Sequence, residues 1–282
     1  MVIYKKYNQQ ELDLQYNNRF HVPEFEIYLQ RWETLSRQAE KNYKVIKDTA
    51  YGDSSREHLD IFPFPNPGSK TLVFIHGGYW QRLDKSLFHF IAGSFADYGI
   101  TTVLINYPLA PAAAMDQIVM SCRKAISWIH KNIAQWNGDS NEIYIAGHSA
   151  GAHLATMLIT KEGNQNKQNF IKGICAISGL YNLIPIQLSN INDAIQMDKE
   201  IAIRNSPVFM NPVESCPLFL TVGTEETTEF KDQSSELHDK WKNKIQPVEF
   251  KLIPGLNHFS IIDSVNETDS LVHQSLCKLM SI

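Results

Sequence analysis

The sequence predicts an α/β fold, a mostly parallel, doubly wound sheet with helices on both faces. Three observations carry this expectation. The runs at 71–75, 101–105, 143–146, 173–177, 218–222 and 248–253 read as continuous apolar strands, as a sheet covered on both faces requires. Segments with apolar residues at three- and four-residue spacing separate them, so strands and helices alternate. The run at 143–146 then breaks at Gly147 and passes through His148-Ser149-Ala150-Gly151 into a helix. A serine on such a tight strand-to-helix turn stands clear of the sheet and faces a helix N-terminus. Composition alone produces a G-x-S-x-G in roughly one chain of this size in twenty, so the strand before and the helix after carry the specificity.

Taken in order, residues 1–42 form an N-terminal helical segment. Phe25, Tyr28, Leu29, Trp32 and Leu35 recur at the spacing of an amphipathic helix whose apolar face must be buried. Strands at 43–49 and 58–62, joined by Gly52-Asp53-Ser54-Ser55, make a hairpin-like lead into the sheet, and Pro63, Pro65, Pro67 and Gly68 form a surface loop. Helices are expected at about 84–98, 114–134, 150–160, 229–243 and 260–280 between and after the six later strands. The sum is an eight-stranded sheet with right-handed crossovers, in one domain spanning 1–282. The irregular, apolar, Asn-rich stretch at about 181–212 is placed over the strand C-termini as part of a small cap.

Composition narrows the function class. A net charge of −4, with 20% charged residues, suggests neither nucleic acid nor an anionic membrane as partner. Cys122, Cys175, Cys216 and Cys277 are scattered, with no C-x-x-C pair, and read as buried thiols in a reducing compartment. Residues 1–10 lack the apolar core of a signal peptide, and no run reaches membrane-spanning length. A cytoplasmic protein acting on a small molecule is expected. A homodimer is compatible with the sequence, though no stripe identifies its surface.

Ligands of open α/β sheets bind beyond the carboxyl ends of the strands, so the residues there are the informative ones. The strand at 71–75 ends in His76-Gly77-Gly78-Tyr79-Trp80, where two glycines let backbone amides turn into a site. The strand at 143–146 leads to Ser149. The strand at 218–222 leads to Gly223-Thr224-Glu225-Glu226, and the last strand to Asn257-His258. A serine hydroxyl becomes a useful nucleophile when an imidazole accepts its proton, and the imidazole needs a carboxylate to fix its tautomer. Ser149, Glu226 and His258 are the choices, with Glu225 the competing carboxylate because loop register is not legible to one residue. His148 is expected to point away, and His76 and His153 to be structural. His148 and His153 are five apart with no third ligand near, so no metal or other cofactor is expected. Asp53, Asp60 and Asp84 read as turn or capping residues. Tyr79, Trp80, Tyr107 and Tyr181, all near strand C-termini, suggest an aromatic pocket.

His76-Gly77-Gly78-Tyr79-Trp80-Gln81, Tyr107-Pro108-Leu109-Ala110-Pro111, Asp116-Gln117, the Ser149 elbow, and Val222-Gly223 with Glu226, Glu229 and Phe230 together resemble the kynurenine formamidase (arylformamidase) branch of the α/β-hydrolases. The likeness runs over nearly the whole chain, including Tyr16-Asn17-Asn18-Arg19 and Tyr51-Gly52-Asp53. It implies an α/β-hydrolase fold with Ser149 as nucleophile, Glu226 as triad acid, His258 as base, and an oxyanion hole made by the amides of Gly78, Tyr79 and Ala150. Animal members carry Asp where this chain has Glu226. The H-G-G-x-W signature is narrower than H-G-G-G, yet some members that carry it are known only as esterases. The implied activity is a serine hydrolase cleaving a small acyl group, with N-formylkynurenine the leading substrate and a broader short-chain carboxylesterase the alternative. A non-catalytic ligand-binding hydrolase fold is the alternative of another class, disfavoured because all three triad residues are present. Trp80, Tyr107 and Tyr181 would line the substrate pocket, and Arg82 or Arg204 would meet an amino-acid carboxylate.

Overall fold

A computed structural model describes residues 1–160, 170–213 and 216–282. Its centre is an eight-stranded sheet in the order β1-β2-β4-β3-β5-β6-β7-β8. The strands are β1 (Ile46–Ala50), β2 (His58–Phe62), β3 (Ser69–Ile75), β4 (Thr101–Ile105), β5 (Gly138–His148), β6 (Ile171–Ile177), β7 (Leu218–Gly223) and β8 (Val248–Ile253). β2 runs antiparallel to both β1 and β4, and every later pairing is parallel. The hairpin-like lead and the six further strands are therefore as the sequence implies.

Side chains of the central strands alternate between two cores. Val73, Ile75, Ile145, Ile174, Ala176 and Leu220 face one, while Leu72, Phe74, Tyr144, Ala146, Cys175 and Phe219 face the other. Strands buried on both faces cannot afford polar alternation, which is why their runs are apolar. β8 departs from this expectation: Glu249 and Lys251 interrupt it and most of it is only partly buried, because it is an edge strand. Helices α5 (Met115–Asn132), α6 (Ala150–Met157) and α10 (Thr228–Trp241) pack on the first core; α3 (Phe25–Asn42), α4 (Phe90–Phe95), α11 (Ser260–Asp263) and α12 (Leu271–Met280) pack on the second. None of the helices among the described residues is long and apolar enough to cross a membrane.

Three expected helices are segmented, each by local hydrogen bonding. The N-terminal segment is three helices, α1 (Gln9–Gln15), α2 (Asn18–His21) and α3. Asn8 and Glu11 form a capping box on α1, and Asn17 accepts from the Phe20 amide to start α2. The stretch at 84–98 is a 3₁₀ turn capped by Asp84, then α4, then a second 3₁₀ turn. The stretch at 260–280 divides into α11, a 3₁₀ turn and α12, with Ser270 accepting from the His273 amide to restart the helix. The stretch at 181–212, expected to be irregular, holds three short helices, α7 (Ile184–Gln187), α8 (Asn192–Ile195) and α9 (Lys199–Arg204).

Candidate active site

Ser149 joins β5 to α6 with φ 56° and ψ −119°, a conformation that an L-residue holds only where the surroundings enforce it. Its amide donates to the Ile177 carbonyl oxygen at 2.8 Å. A Cβ on Gly147 would collide with the backbone of Gly151, and one on Gly151 with the carbonyls of Ile75 and His76. The two glycines thus permit the close helix-on-strand approach that makes the elbow.

The loop after β3 lies against that elbow. Gly77 packs on the His148 carbonyl and the Ser149 side chain. Gly78, Tyr79 and Trp80 follow in succession with φ of 101°, 52° and 58°. Two non-glycine residues in that region cost about 1–3 kcal/mol each and persist only where other bonds hold them. Those bonds are present. Gln81 and Arg82 amides donate to the Gly78 carbonyl at 3.0 and 3.2 Å, and the Ala110 amide to Trp80 at 2.8 Å. Tyr79 Oη donates to the Tyr16 carbonyl at 2.7 Å, and Tyr107 Oη to that of His76 at 2.8 Å. Among the described residues, nothing accepts a hydrogen bond from the amides of Gly78, Tyr79 or Ala150.

His258 follows β8, and its Nδ1 lies 2.7 Å from Glu226 Oε2. Glu226 Oε1 accepts from Ser178 Oγ at 2.5 Å and the Gly223 amide at 2.8 Å, so this buried carboxylate is fixed from both sides. Glu225 is exposed, and its Oε1 accepts from Thr224 Oγ1 at 3.3 Å. Geometry therefore gives the histidine to Glu226. Ser149 and His258 line one cavity, with no hydrogen bond formed between their side chains. Such bonds are often long in ligand-free enzymes and tighten with substrate.

His148 differs from expectation. Its ring does not point away: it lines the cavity with its centroid 4.6 Å from that of His258, and its Nε2–H donates to the His258 carbonyl at 2.9 Å. Burial and the neighbouring His258 hold its pKa well below the ordinary histidine value. His76 and His153 are structural as expected. Buried, with pKa values depressed to about 4, they hold respectively the Gly77 carbonyl at 2.8 Å and that of Asn205 at 2.7 Å.

The cavity measures about 370 Å³. Gly78, Tyr79, His148, Ser149 and His258 line it, with Phe25, Leu29, Trp32 and Phe259 as apolar wall. Tyr79 and Arg82 lie on it as expected. Trp80, Tyr107 and Tyr181 do not: each is fully buried outside the lining. Trp80 Nε1 donates to His153 at 3.2 Å, Tyr107 stacks on His76 with centroids 4.5 Å apart, and the Tyr181 amide is held by Gln233. Arg204 lies on the surface, paired with Asp116 at 2.7 Å. Residues from 16–32 supply much of the cavity lining, with Asn190, Ile191 and Asp193 contributing from the 181–212 stretch. Arg19 and Asp193 were not singled out by the sequence, although the Tyr16-Asn17-Asn18-Arg19 motif pointed to the region.

Fold and site together define the class: an α/β-hydrolase enzyme of the serine-hydrolase type, a formamidase or esterase. A family model described as BD-FAE matches residues 59–241. A kynurenine formamidase of Danio rerio is 28% identical over 98% of each chain, and one of Salmo salar is 30% identical over 84% of this chain and 82% of its own. The chain belongs to the BD-FAE family and to the kynurenine formamidase family. A solved structure of a proposed thioesterase from Silicibacter sp. superposes with a TM-score of 0.86 at 25% identity, covering 96% of this chain and 99% of its own. An esterase of Pyrobaculum calidifontis, at 16% identity and TM-score 0.70 over 95% and 97% of the chains, shares the fold.

Proposed function

We propose that the chain is an arylformamidase acting on N-formylkynurenine, with Ser149 as nucleophile, His258 as general base and acid, and Glu226 as the carboxylate that orients it. The observation that carries this reading is the Glu226–His258 pair at 2.7 Å, whose histidine lines the same cavity as Ser149, Gly78 and Tyr79. Ser149 Oγ attacks the formyl carbon while His258 Nε2 takes its proton. The carbonyl oxygen becomes an oxyanion that accepts from the amides of Gly78, Tyr79 and Ala150. Collapse breaks the C–N bond as His258 returns the proton to the arylamine nitrogen. Water, deprotonated by His258, then attacks the formyl ester, releasing formate and restoring the serine.

The relatives' names support the kynurenine substrate, and the aromatic wall of Phe25, Trp32 and Phe259 suits an arylamine leaving group. The same three amides would serve the oxyanion of a short ester, so esterase activity is the second reading. Cys122, Cys175 and Cys277 are free thiols, which accords with a cytoplasmic enzyme. The test is parallel kinetics on N-formylkynurenine and short p-nitrophenyl esters, with Ser149→Ala as control. For a physiological formamidase, kcat/KM on N-formylkynurenine falls in the range of about 10⁴–10⁸ M⁻¹s⁻¹ and exceeds that on the esters. Turnover of the esters alone makes the enzyme an esterase. Undiminished turnover by Ser149→Ala removes Ser149 from the mechanism.

A further inference from the structure

Three charged side chains line the active-site cavity beside the buried machinery: Arg19, Arg82 and Asp193, all on exposed residues. Among the described residues neither guanidinium makes an ion pair or hydrogen bond, and the Asp193 carboxylate makes none either. Elsewhere the arginines are engaged: Arg31 with Asp263, Arg37 with Glu33, Arg56 with Asp84 and Arg204 with Asp116. Arg19 lies over the Phe25 ring at 4.6 Å, which holds its head at the cavity without neutralising it. Burial and then the charge of Arg82 lower its pKa, against the opposing pull of Glu26.

Two guanidinium groups that line one cavity without an ion pair attract an anionic ligand, and a guanidinium fork matches a carboxylate. The acid that lines the same cavity offers a partner to an ammonium. We propose that Arg19, Arg82 and Asp193 form a rim that selects a zwitterionic α-amino-acid head group on the leaving group, the arginines taking its carboxylate and Asp193 its ammonium. This rests on the formamidase reading and adds that specificity resides in the rim, while Ser149 and His258 below it carry out chemistry common to many acyl donors.

The test compares two formamides that differ in the head group alone: N-formylkynurenine and N-(2-acetylphenyl)formamide. The readout is the ratio of their kcat/KM values. It is expected to fall roughly tenfold in Arg19→Ala or Arg82→Ala and further in the double variant, since each removes a hydrogen bond to a charged group. Asp193→Asn should lower it less. An unchanged ratio in the double variant overturns the proposal. On the unaltered protein, kynurenine should inhibit p-nitrophenyl acetate hydrolysis at lower concentration than 2-aminoacetophenone, and equal inhibition also overturns it. Hydrolysis of the ester but of neither formamide refutes the formamidase reading, and the inhibition pair, repeated on the double variant, still decides the rim.

Discussion

Replacing Glu226 by glutamine keeps the side chain's volume and removes its charge at a position only 6% exposed. The orientation of the new amide is dictated by its surroundings. The Gly223 amide, 2.8 Å from Oε1, can only donate, so an oxygen must stay there; turning the amide to place nitrogen against it would cost about 1–3 kcal/mol. Ser178 Oγ, 2.5 Å from the same atom, is satisfied by that oxygen too. The amide nitrogen therefore replaces Oε2 and faces His258 Nδ1 at 2.7 Å. A donor at that place makes Nδ1 an acceptor and moves the imidazole proton to Nε2, where it can no longer receive one from Ser149. The equivalent Asp-to-Asn exchange in serine proteases lowers kcat about 10⁴-fold, near 5.5 kcal/mol, and a loss of that order is expected here. Glu225→Gln, at an exposed residue, should stay within about 0.5 kcal/mol of the parent. The assay is kcat on p-nitrophenyl acetate and N-formylkynurenine, with thermal midpoints to establish folding. A folded Glu226→Gln enzyme retaining more than about a tenth of the parent kcat would refute this account, as would an equal loss in Glu225→Gln.

Other perturbations have equally definite consequences. Gly151→Ala forces a methyl into the Ile75 and His76 carbonyls, neither of which can rotate away; a destabilisation of about 1–3 kcal/mol is expected, and an unchanged urea midpoint would contradict it. Tyr79→Phe removes the bond to the Tyr16 carbonyl that ties the 77–80 loop to the N-terminal segment. It should cost about 1 kcal/mol of stability and raise KM more than it lowers kcat, read from steady-state kinetics. His89 is fully buried with both ring nitrogens 2.7 Å from carboxylates of Glu40 and Asp60, and His89→Ala should lose about 3–5 kcal/mol in denaturant unfolding. Burial raises the pKa of Asp60 and of Asp84, but bonds from His89 and the Asp48 amide on the first, and from the Ser86 amide and Asn106 on the second, prevail; both end lowered, Asp84 to about 2. Because the folded values lie below the unfolded ones, their contribution is complete above the ordinary carboxyl range and lost as pH falls through the folded values. The urea midpoint should thus hold from pH 7 to about 5 and fall below about 4, and a midpoint flat to pH 2 would count against these shifts.

The strands were legible because burial on two faces leaves continuous apolar runs: β4 has the bounds the sequence suggests, as has β2, while β8 was legible from its apolar positions although Glu249 and Lys251 interrupt it. The elbow and the order of Ser149, Glu226 and His258 were legible for a related reason, since residues just past strand ends are brought to one edge by topology alone. What the sequence withheld depends on side-chain direction. Glu225 and Glu226 are adjacent, and only the Gly223 turn decides which one reaches inward. Trp80 and Tyr107 do sit at strand ends, but the positive φ at Tyr79 and Trp80 turns the indole to His153, and Tyr107 bonds back to the His76 carbonyl. The lining supplied by Arg19, Phe25 and Trp32 was out of reach because those residues are more than a hundred positions from Ser149, and nothing local says where their helices dock.

His148 shows how one residue couples the two halves of the site. It precedes Ser149 in the chain, so its backbone is fixed by the elbow, while its Nε2–H holds the carbonyl of His258 at 2.9 Å. The loop bearing the proposed base is thereby registered against the proposed nucleophile by a single hydrogen bond, although 110 positions separate its two residues. A charged group in that place would defeat the arrangement. In the proposed cycle His258 becomes an imidazolium, and a second cation with its ring 4.6 Å away would oppose that charge. Burial, together with His258 itself, lowers the His148 pKa and keeps the ring neutral at neutral pH. His148 can therefore hold the base in register and leave the positive charge of the transition state to be stabilised by Glu226 alone.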